Sequence, residues 1–202
     1  MVTTGLPGAG PRTGRPRSPE ADRAIVAATL DVVADDGVGA FCVEAVAARA
    51  GVSKTTIYRR FPSKEALLAE ALGTLNDDLP PTPDTGAVRD DLVLMMRRWA
   101  EAYEGSHTGR MMPRLMSAAR THPELYRTYY EQVVEPRRER FRQALRRGIA
   151  RGEVRDDVDL ELAVSSVIGP MMLMLMTQVG GVGHPRTTPE QIVDLALTGL
   201  AP

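Results

Sequence analysis

The stretch CVEAVAARAGVSKTTIYRRF, from Cys42 to Phe61, decides the fold of this chain. Apolar residues recur at helical spacing before Gly51, which permits a turn, and Ser53 is a good N-cap for a second, shorter helix. Ile57 and Phe61 are four residues apart and give that second helix an apolar face toward the first. The pattern predicts a helix-turn-helix.

The opposite face of the second helix is polar. Thr55 and Arg59 are also four residues apart and are expected to point outward. Arginine can read guanine with two hydrogen bonds, and threonine can bond a base edge or contact a thymine methyl, so this face suits the major groove of DNA. The alternative is a merely solvated surface. However, the turn at Gly51, the apolar pair Ile57 and Phe61 and the hydroxyl side chains at the start of the second helix occur together, and this combination favours DNA binding. The predicted DNA-binding residues are Ser53, Lys54, Thr55, Thr56, Tyr58, Arg59 and Lys64, together with Arg15 and Arg17. For Arg15 and Arg17 two interpretations stay open: they contact the DNA backbone or the minor groove, or they are simply solvated.

The pattern of the rest of the chain also predicts helices. Helical spacing recurs nearly throughout and strict alternation is absent, which predicts an all-α fold of about nine helices. Thr188, Pro189 and Gln191 form a strong start signal with a capping box for the last helix, and Pro136 is expected to kink a long one. We expect a disordered basic arm over residues 1–18, a helix-turn-helix domain over 19–65 and a C-terminal helical regulatory and dimerisation domain over 66–202.

A resemblance to a known family lies in the N-terminal part. The DDG of Asp35–Gly37, the VEAVAARAGVSKTTIYRRF that ends at Phe61 and the PSKEALL of Pro62–Leu68 resemble the TetR-type transcriptional regulators. The resemblance implies an N-terminal three-helix DNA-binding domain, and a fourth helix that links it to a C-terminal helical ligand-binding and dimerisation domain. It also implies a homodimer and a small-molecule ligand that weakens operator binding.

Cys42 departs from the family pattern, which usually has Ser or Thr there to cap the helix. One interpretation is a redox-sensing thiol near a helix N-terminus, where the thiolate is favoured. The other is a small, half-buried residue beside Phe41, and this one is preferred because burial more often explains a single cysteine than reactivity does.

Composition excludes several classes of protein. The chain has 202 residues, a net charge of −1, one cysteine and three scattered histidines, so it is not a uniformly basic coat protein, a disulfide scaffold or a zinc protein. No Gly-rich phosphate loop, paired metal ligands or serine with a recognisable histidine partner is present, so we expect no catalytic residues, no metal and no cofactor. The absence of an apolar signal-peptide run in the first 18 residues favours the cytoplasm.

The segment from Ala163 to Gly183 carries no charge and raises a membrane alternative. Pro170, several glycines and the lack of flanking basic clusters argue against a membrane span. A helix that is apolar all round is otherwise buried, and here burial against a partner subunit is expected. The predicted dimer interface consists of Val167, Met171, Met174, Leu175, Ile192 and Leu195.

Methionine and aromatic residues in the middle of the chain serve either as plain core or as the walls of a soft apolar pocket. The candidate pocket residues are Met95, Trp99, Tyr103, Met111, Met112, Leu115, Met116 and Tyr126. The arginine-rich stretch from Arg137 to Arg147 is interleaved with Glu135 and Glu139, which indicates a solvated helix face.

Together these features predict a sequence-specific repressor. It would bind a palindromic double-stranded DNA operator as a homodimer and be released by an unknown small apolar effector. The alternative is an architectural DNA-binding dimer that responds to no ligand. A C-terminal core without a void of ligand size would favour that alternative.

Overall fold

The computed structural model describes residues 19–77, 79–103, 106–179 and 187–201. These residues form helices and connecting turns, with no strand among them, as the periodicity predicts. The α-helical segments are α1 (Pro19–Asp31), α2 (Val43–Ala50), α3 (Lys54–Tyr58), α4 (Lys64–Gly73), α5 (Val88–Tyr103), α6 (His107–Ala118), α7 (Pro123–Tyr129), α8 (Glu135–Ala150), α9 (Leu160–Val179) and α10 (Pro189–Leu200).

The N-terminal unit packs α1 against α2 and α4, and α2 against α3. Each of these four helices contributes buried apolar residues, for example Ile25 of α1, Val46 of α2, Ile57 of α3 and Leu67 of α4. After α1 the chain continues as a π-helical turn over Val32–Asp36. The four helices therefore share one apolar core that fixes the orientation of the short α3.

Helix α4 is short, with ten residues. It ends at Gly73 and is followed by a 3-10 turn, Thr74–Asn76. It packs against α1 on one side and against α7 and the turn after α7 on the other. Helix α4 thus connects the N-terminal unit to the C-terminal helices.

Helices α7 and α8 are continuous through a π-helical turn, Tyr130–Val134, which ends just before Pro136. Counted as one rod, they leave nine separate helices in the described part of the chain, the number expected. Pro136 has no N–H to donate to Gln132 O four residues earlier, and Asn76 Nδ2 donates to that carbonyl instead, at 2.8 Å. The distortion expected at Pro136 therefore lies in the preceding π-helical turn. Gln132 O in that turn accepts its hydrogen bond from Asn76, in the turn after α4. The capping box of Thr188 and Gln191 is present at the start of α10.

The arginine-rich stretch of α8 is not the solvated face expected from its sequence. Arg142 is only 8% exposed and pairs with Glu135 at 2.8 Å, Glu139 at 3.2 Å and Glu161 of α9 at 3.0 Å. Arg138 also bonds Glu161, at 2.8 Å. These arginines bind α8 to α9 because carboxylates from two elements converge on them, which a local pattern does not reveal.

We expect stability at acid pH to depend on Glu161. Hydrogen bonds from Arg142 and Arg138 lower its pKa from 4.5 to about 2. A carboxylate with a depressed folded-state pKa stabilises the fold fully above about pH 4.5 and loses that contribution as pH falls toward 2. Glu161→Gln should therefore flatten the fall of the unfolding free energy between pH 5 and pH 2, measured by urea denaturation. The effect is modest because Glu161 is exposed.

Glu124→Gln is the matched control, since Glu124 is exposed and, among the described residues, its carboxylate forms an ion pair only with Arg127 on its own helix, at 3.5 Å. It should keep the pH dependence of the wild type. A Glu161→Gln variant as acid-sensitive as the wild type would contradict the assigned role of this ion pair.

Gly109 allows the close contact between the start of α6 and the end of α5. A Cβ at this position would lie 2.1 Å from the backbone oxygen of Tyr103, and backbone cannot move aside as a flexible side chain can. Gly109→Ala should therefore destabilise the fold by about 3 kcal/mol. At Gly73 a Cβ would meet only Gln132 Oε1, at 3.9 Å, so Gly73→Ala should be neutral or stabilising by up to about 1 kcal/mol. Thermal and urea unfolding of both variants tests this, and equal stabilities would refute the clash.

Candidate functional site

The helix-turn-helix is built as the sequence predicts. Gly51 ends α2 in the left-handed conformation, with φ 66° and ψ 31°. Ser53 then caps α3, its Oγ accepting from Thr56 N at 3.2 Å. Ile57 and Phe61 are both buried against the unit's core. Helix α3 is consequently held from behind while its other side faces outward.

The outward side of α3 consists of Thr55, Tyr58 and Arg59, all exposed, with Tyr58 54% exposed. Thr56 is half-buried, and its hydroxyl lies 3.0 Å from that of Ser53. The structure therefore divides the predicted DNA-binding residues of this segment into an outward group and a group that shapes the start of the helix.

Two lysines flank this surface. Lys54 is exposed and forms an ion pair with Glu44 of α2 at 2.9 Å, which raises the pKa of the lysine and lowers that of the glutamate. An exposed pair contributes little to stability, so Lys54 can leave Glu44 at small cost. Lys64 is exposed in the first turn of α4. Arg15 and Arg17 lie outside the described residues.

Arg60 is a structural residue that the sequence reading missed. Its side chain is buried and forms an ion pair with Asp22 of α1, and its Nη1 donates to Thr56 O at 3.4 Å. The available signal was its spacing, since Arg60 comes three residues after the buried Ile57 and so shares its side of the helix. The two neighbouring arginines therefore differ in orientation: Arg59 faces outward, and Arg60 faces the core of the N-terminal unit.

The preferred interpretation of Cys42 as a half-buried residue is wrong, because Cys42 is exposed. Its neighbour Phe41 is the buried residue. Cys42 is the N-cap of α2 in an extended conformation and makes no side-chain capping hydrogen bond. The first turn of α2 therefore lacks the side-chain cap that Ser or Thr would supply.

A cavity of about 190 Å³ lies among α5, α6, α7, α8 and α9. Met95, Trp99, Tyr103 and Met112 line it, but the other four candidate pocket residues do not. Met111 and Leu115 are buried elsewhere in the core, Met116 is exposed, and Tyr126 packs on Tyr129 with ring centroids 6.5 Å apart. Lining residues that the sequence reading missed include Arg98, Thr108, Tyr129, Val133, Arg137, Arg138, Arg140, Phe141, Ile168 and Met172.

Several polar groups of the cavity walls are buried without a hydrogen-bond partner in the described structure. They are Trp99 Nε1, Tyr103 OH and Arg138 Nε. Burial raises the pKa of Tyr103 and raises that of Tyr129 to about 12, so both phenols are neutral and protonated. Unpartnered buried groups of this kind need an explanation, and a bound molecule is one.

The predicted dimer residues need correction. Val167, Met171 and Leu175 of α9 and Ile192 of α10 are buried within their own chain and cannot offer surface to a partner, whereas Met174 is half-buried and Leu195 is 76% exposed. The exposed side of α9 carries Leu162, 66% exposed, and Leu173, 65% exposed. The error is one of helix phase, because a helix that is apolar all round does not reveal which side faces its own core.

Helix α9 is long and apolar enough, by length and composition, to cross a membrane over Leu160–Thr177. A single helix of this kind is weak evidence for a membrane span. Only 28% of that window is buried, so the described residues of the single chain leave much of its apolar surface uncovered.

Helix α3 follows a glycine turn, is fixed by its buried residues and presents polar side chains outward. This arrangement is that of a helix-turn-helix DNA-binding protein. Two family models match the chain. "Bacterial regulatory proteins, tetR family" matches residues 25–71, and "Tetracyclin repressor-like, C-terminal domain" matches residues 82–196. The chain belongs to the TetR family of transcriptional regulators.

Individual relatives agree with this assignment. The chain is 31% identical over 165 residues to the uncharacterised HTH-type transcriptional regulator YdeS of Bacillus subtilis, covering 82% of this chain and 83% of that one. The crystal structure of the TetR family transcription regulator SCO0332 is similar with a TM-score of 0.64 and 28% identity, covering 91% of this chain and all of the other. The flavonoid-responsive regulator FrrA has a TM-score of 0.68 at 24% identity, covering 90% and 95%.

Proposed function

We propose that this chain is a repressor that binds a pseudo-palindromic operator as a homodimer and is released by a small, largely apolar ligand. The exposed face of α3, with Thr55 and Arg59 held in place by the buried Ile57, is the observation that carries the DNA-binding part. Thr55, Tyr58 and Arg59 would contact base edges, while Lys54 and Lys64 would contact phosphates. The regulator would act in the cytoplasm and catalyse no reaction.

The exposed side of α9 supports a dimer. Leu162, Ser165, Gly169 and Leu173 are all exposed and follow one another at three- and four-residue spacing, which places them along one stripe of the helix. Leu195 of the adjacent α10 is a further exposed apolar residue, and it lines the same surface depression as Leu162. Two copies related by a two-fold axis would cover each other's stripe. Their reading helices would then enter the major groove at half-sites about 34 to 36 Å apart, or a multiple of that.

The domain division is proposed as the sequence suggests. Residues 19–65 would form the DNA-binding unit and residues 66–202 the regulatory and dimerisation unit, with α4 in contact with both. Residues 1–18 would serve as a basic arm, in which Arg15 and Arg17 contact the DNA backbone or the minor groove.

The ligand response is proposed to pass through Arg137 and Asn76. Arg137 lines the cavity, and it donates to Asn76 Oδ1 at 2.8 Å and to Leu75 O at 3.1 Å. Both acceptors lie in the turn that follows α4. A ligand that binds better when Arg137 has moved would therefore shift the end of α4 and, with it, the reading unit.

The architectural alternative has less support. A dimer that binds DNA without a ligand has no need of a cavity, yet a cavity of about 190 Å³ lies among the C-terminal helices. The name of FrrA says that this structural neighbour responds to flavonoids, which is consistent with a small-molecule response in this fold.

Selection of bound DNA from a random pool tests the proposal. The expected product is an inverted repeat, and Lys64→Ala should weaken binding to operator and non-operator DNA alike and reduce the salt dependence. Small molecules that raise the melting temperature should then release the operator. Recovery of no preferred sequence would refute specific DNA binding, and stabilising compounds that never change operator affinity would favour the architectural dimer.

A further inference from the structure

The charged residues of the cavity wall are of a single kind. Among the described lining residues, Arg98, Arg137, Arg138 and Arg140 are charged and no aspartate or glutamate is present. The other walls are mainly apolar and include Met95, Trp99, Phe141, Ile168 and Met172. The cavity therefore combines an apolar body with a positively charged side.

These arginines differ in how they are already bonded. Arg137 is bonded to the turn after α4, and Arg138 donates to Glu161 at 2.8 Å and to Ser165 Oγ at 3.2 Å. Arg140 has only uncharged acceptors, Pro80 O and Thr82 Oγ1. No described carboxylate forms an ion pair with Arg98. Arg98, Arg137 and Arg140 are thus the cavity arginines that pair with no described carboxylate. Arg137 is already bonded to the turn after α4, which leaves Arg98 and Arg140 more available to a bound anion.

Arg98 and Arg140 line the same cavity, so their like charges repel each other. Burial, and after it the charge of Arg98, lowers the pKa of Arg140. Two cations that share one cavity are stabilised when an anion binds between them. The polar groups left without partners at Trp99 Nε1, Tyr103 OH and Arg138 Nε can all donate hydrogen bonds, so they too require an acceptor.

We infer that the effector is an amphipathic carboxylate, with its carboxylate bound by Arg98 and Arg140 and its apolar part lying against Met95, Trp99 and Phe141. This inference rests on the proposed role of the cavity as the effector site. Guanidinium groups match a carboxylate because their N–H donors form paired, charge-assisted hydrogen bonds. A cavity of about 150 Å³ holds benzene, so 190 Å³ suits a somewhat larger molecule, roughly the size of octanoate.

Trp99 makes occupancy of the cavity directly measurable, because it is the single tryptophan of the chain and lines the cavity. The full-length protein is titrated with octanoate, 1-octanol and octylamine, which share one chain and differ in charge. The dissociation constant is read from the midpoint of the change in Trp99 fluorescence. Octanoate should bind at least tenfold more tightly than 1-octanol, and octylamine should bind most weakly.

Arg98→Met and Arg140→Met should each weaken octanoate binding about tenfold and leave 1-octanol within twofold of its wild-type value. Arg97→Met is the matched control, since it removes a charge from the same helix at an exposed position that pairs with Glu190 and not with the cavity. It should leave all three affinities within twofold. If an arginine variant fails to fold, the comparison of the three ligands on the wild-type protein still decides.

Equal affinity for octanoate and 1-octanol would overturn the carboxylate assignment while the cavity remained an effector site. Equal weakening of both ligands by the Arg98 and Arg140 substitutions would also overturn it. A failure of all three compounds to change Trp99 emission would overturn this inference. The ligand-binding part of the proposed function would fail only if no compound that raises the melting temperature changed operator affinity. Operator binding is measured separately, and none of these three outcomes bears on it.

Discussion

Replacing Arg59 with alanine should weaken operator binding by about 1 to 3 kcal/mol at each half-site, which is tenfold or more for the dimer. Arg59 is exposed at the end of α3, and no described carboxylate forms an ion pair with it. Its removal should therefore leave the stability of the fold unchanged while it removes a contact to a base edge. Fluorescence anisotropy with the selected operator and with a scrambled duplex measures the effect, and the loss should be larger for the operator.

Arg60→Ala is the matched control because it removes the same side chain one position later. Arg60 is buried and pairs with Asp22 of α1, so its loss should destabilise the fold by roughly 1 to 3 kcal/mol, less than a fully buried pair because Asp22 is partly exposed. At a temperature where both variants are folded, Arg60→Ala should retain more of the operator preference than Arg59→Ala. If Arg59→Ala lost operator and scrambled DNA affinity equally, Arg59 would be a phosphate contact and not a base contact.

The helix-turn-helix could be predicted in detail because its determinants are local. The glycine turn at Gly51, the cap at Ser53 and the spacing of Ile57 and Phe61 all act within 20 residues. The same local reasoning found the start of the last helix. Long-range contacts could not be predicted in this way: the spacing of Arg60 from Ile57 indicates that it faces inward, but nothing local identifies Asp22 of α1 as its partner.

The cavity shows where sequence reasoning stops. Met95, Trp99, Tyr103 and Met112 were selected as apolar residues in the middle of the chain, and they do line the cavity. The arginines that give the cavity its charge come from a stretch that looks like an ordinary solvated helix face. Only the folded chain shows that Arg137 and Arg140 turn inward, because their acceptors lie about 60 residues earlier in the chain.

Four of the six residues predicted for the dimer interface are buried in their own chain, for a different reason. Helix α9 is apolar on all sides, so its sequence does not show which side packs on α8 and α10 and which side is left uncovered. In the folded chain Val167 and Met171 face the core, while Leu162 and Leu173 lie at the two ends of the exposed stripe. Ser165 and Gly169 between them are small, which would let a second helix approach closely.

Replacing Leu173 with aspartate should therefore dissociate the dimer, raising its dissociation constant at least 100-fold. Each interface would contain two copies of the new charge, and a carboxylate cannot be buried between apolar helices without a partner. Leu173 is largely exposed in the single chain, so the substitution should leave the fold intact. Substitution of the half-buried Met174 would be harder to interpret, because it would also disturb the chain's own core.

Sedimentation equilibrium over a range of concentrations measures the dimer, and circular dichroism checks the fold. Met116→Asp is the control, since Met116 is an exposed apolar residue of α6 away from the stripe, and this variant should remain dimeric. Operator affinity should fall with dimerisation in Leu173→Asp, because one protomer reads only one half-site. A Leu173→Asp variant that stayed dimeric and kept its operator affinity would place the interface on another surface, and the exposed stripe of α9 would then need a different explanation.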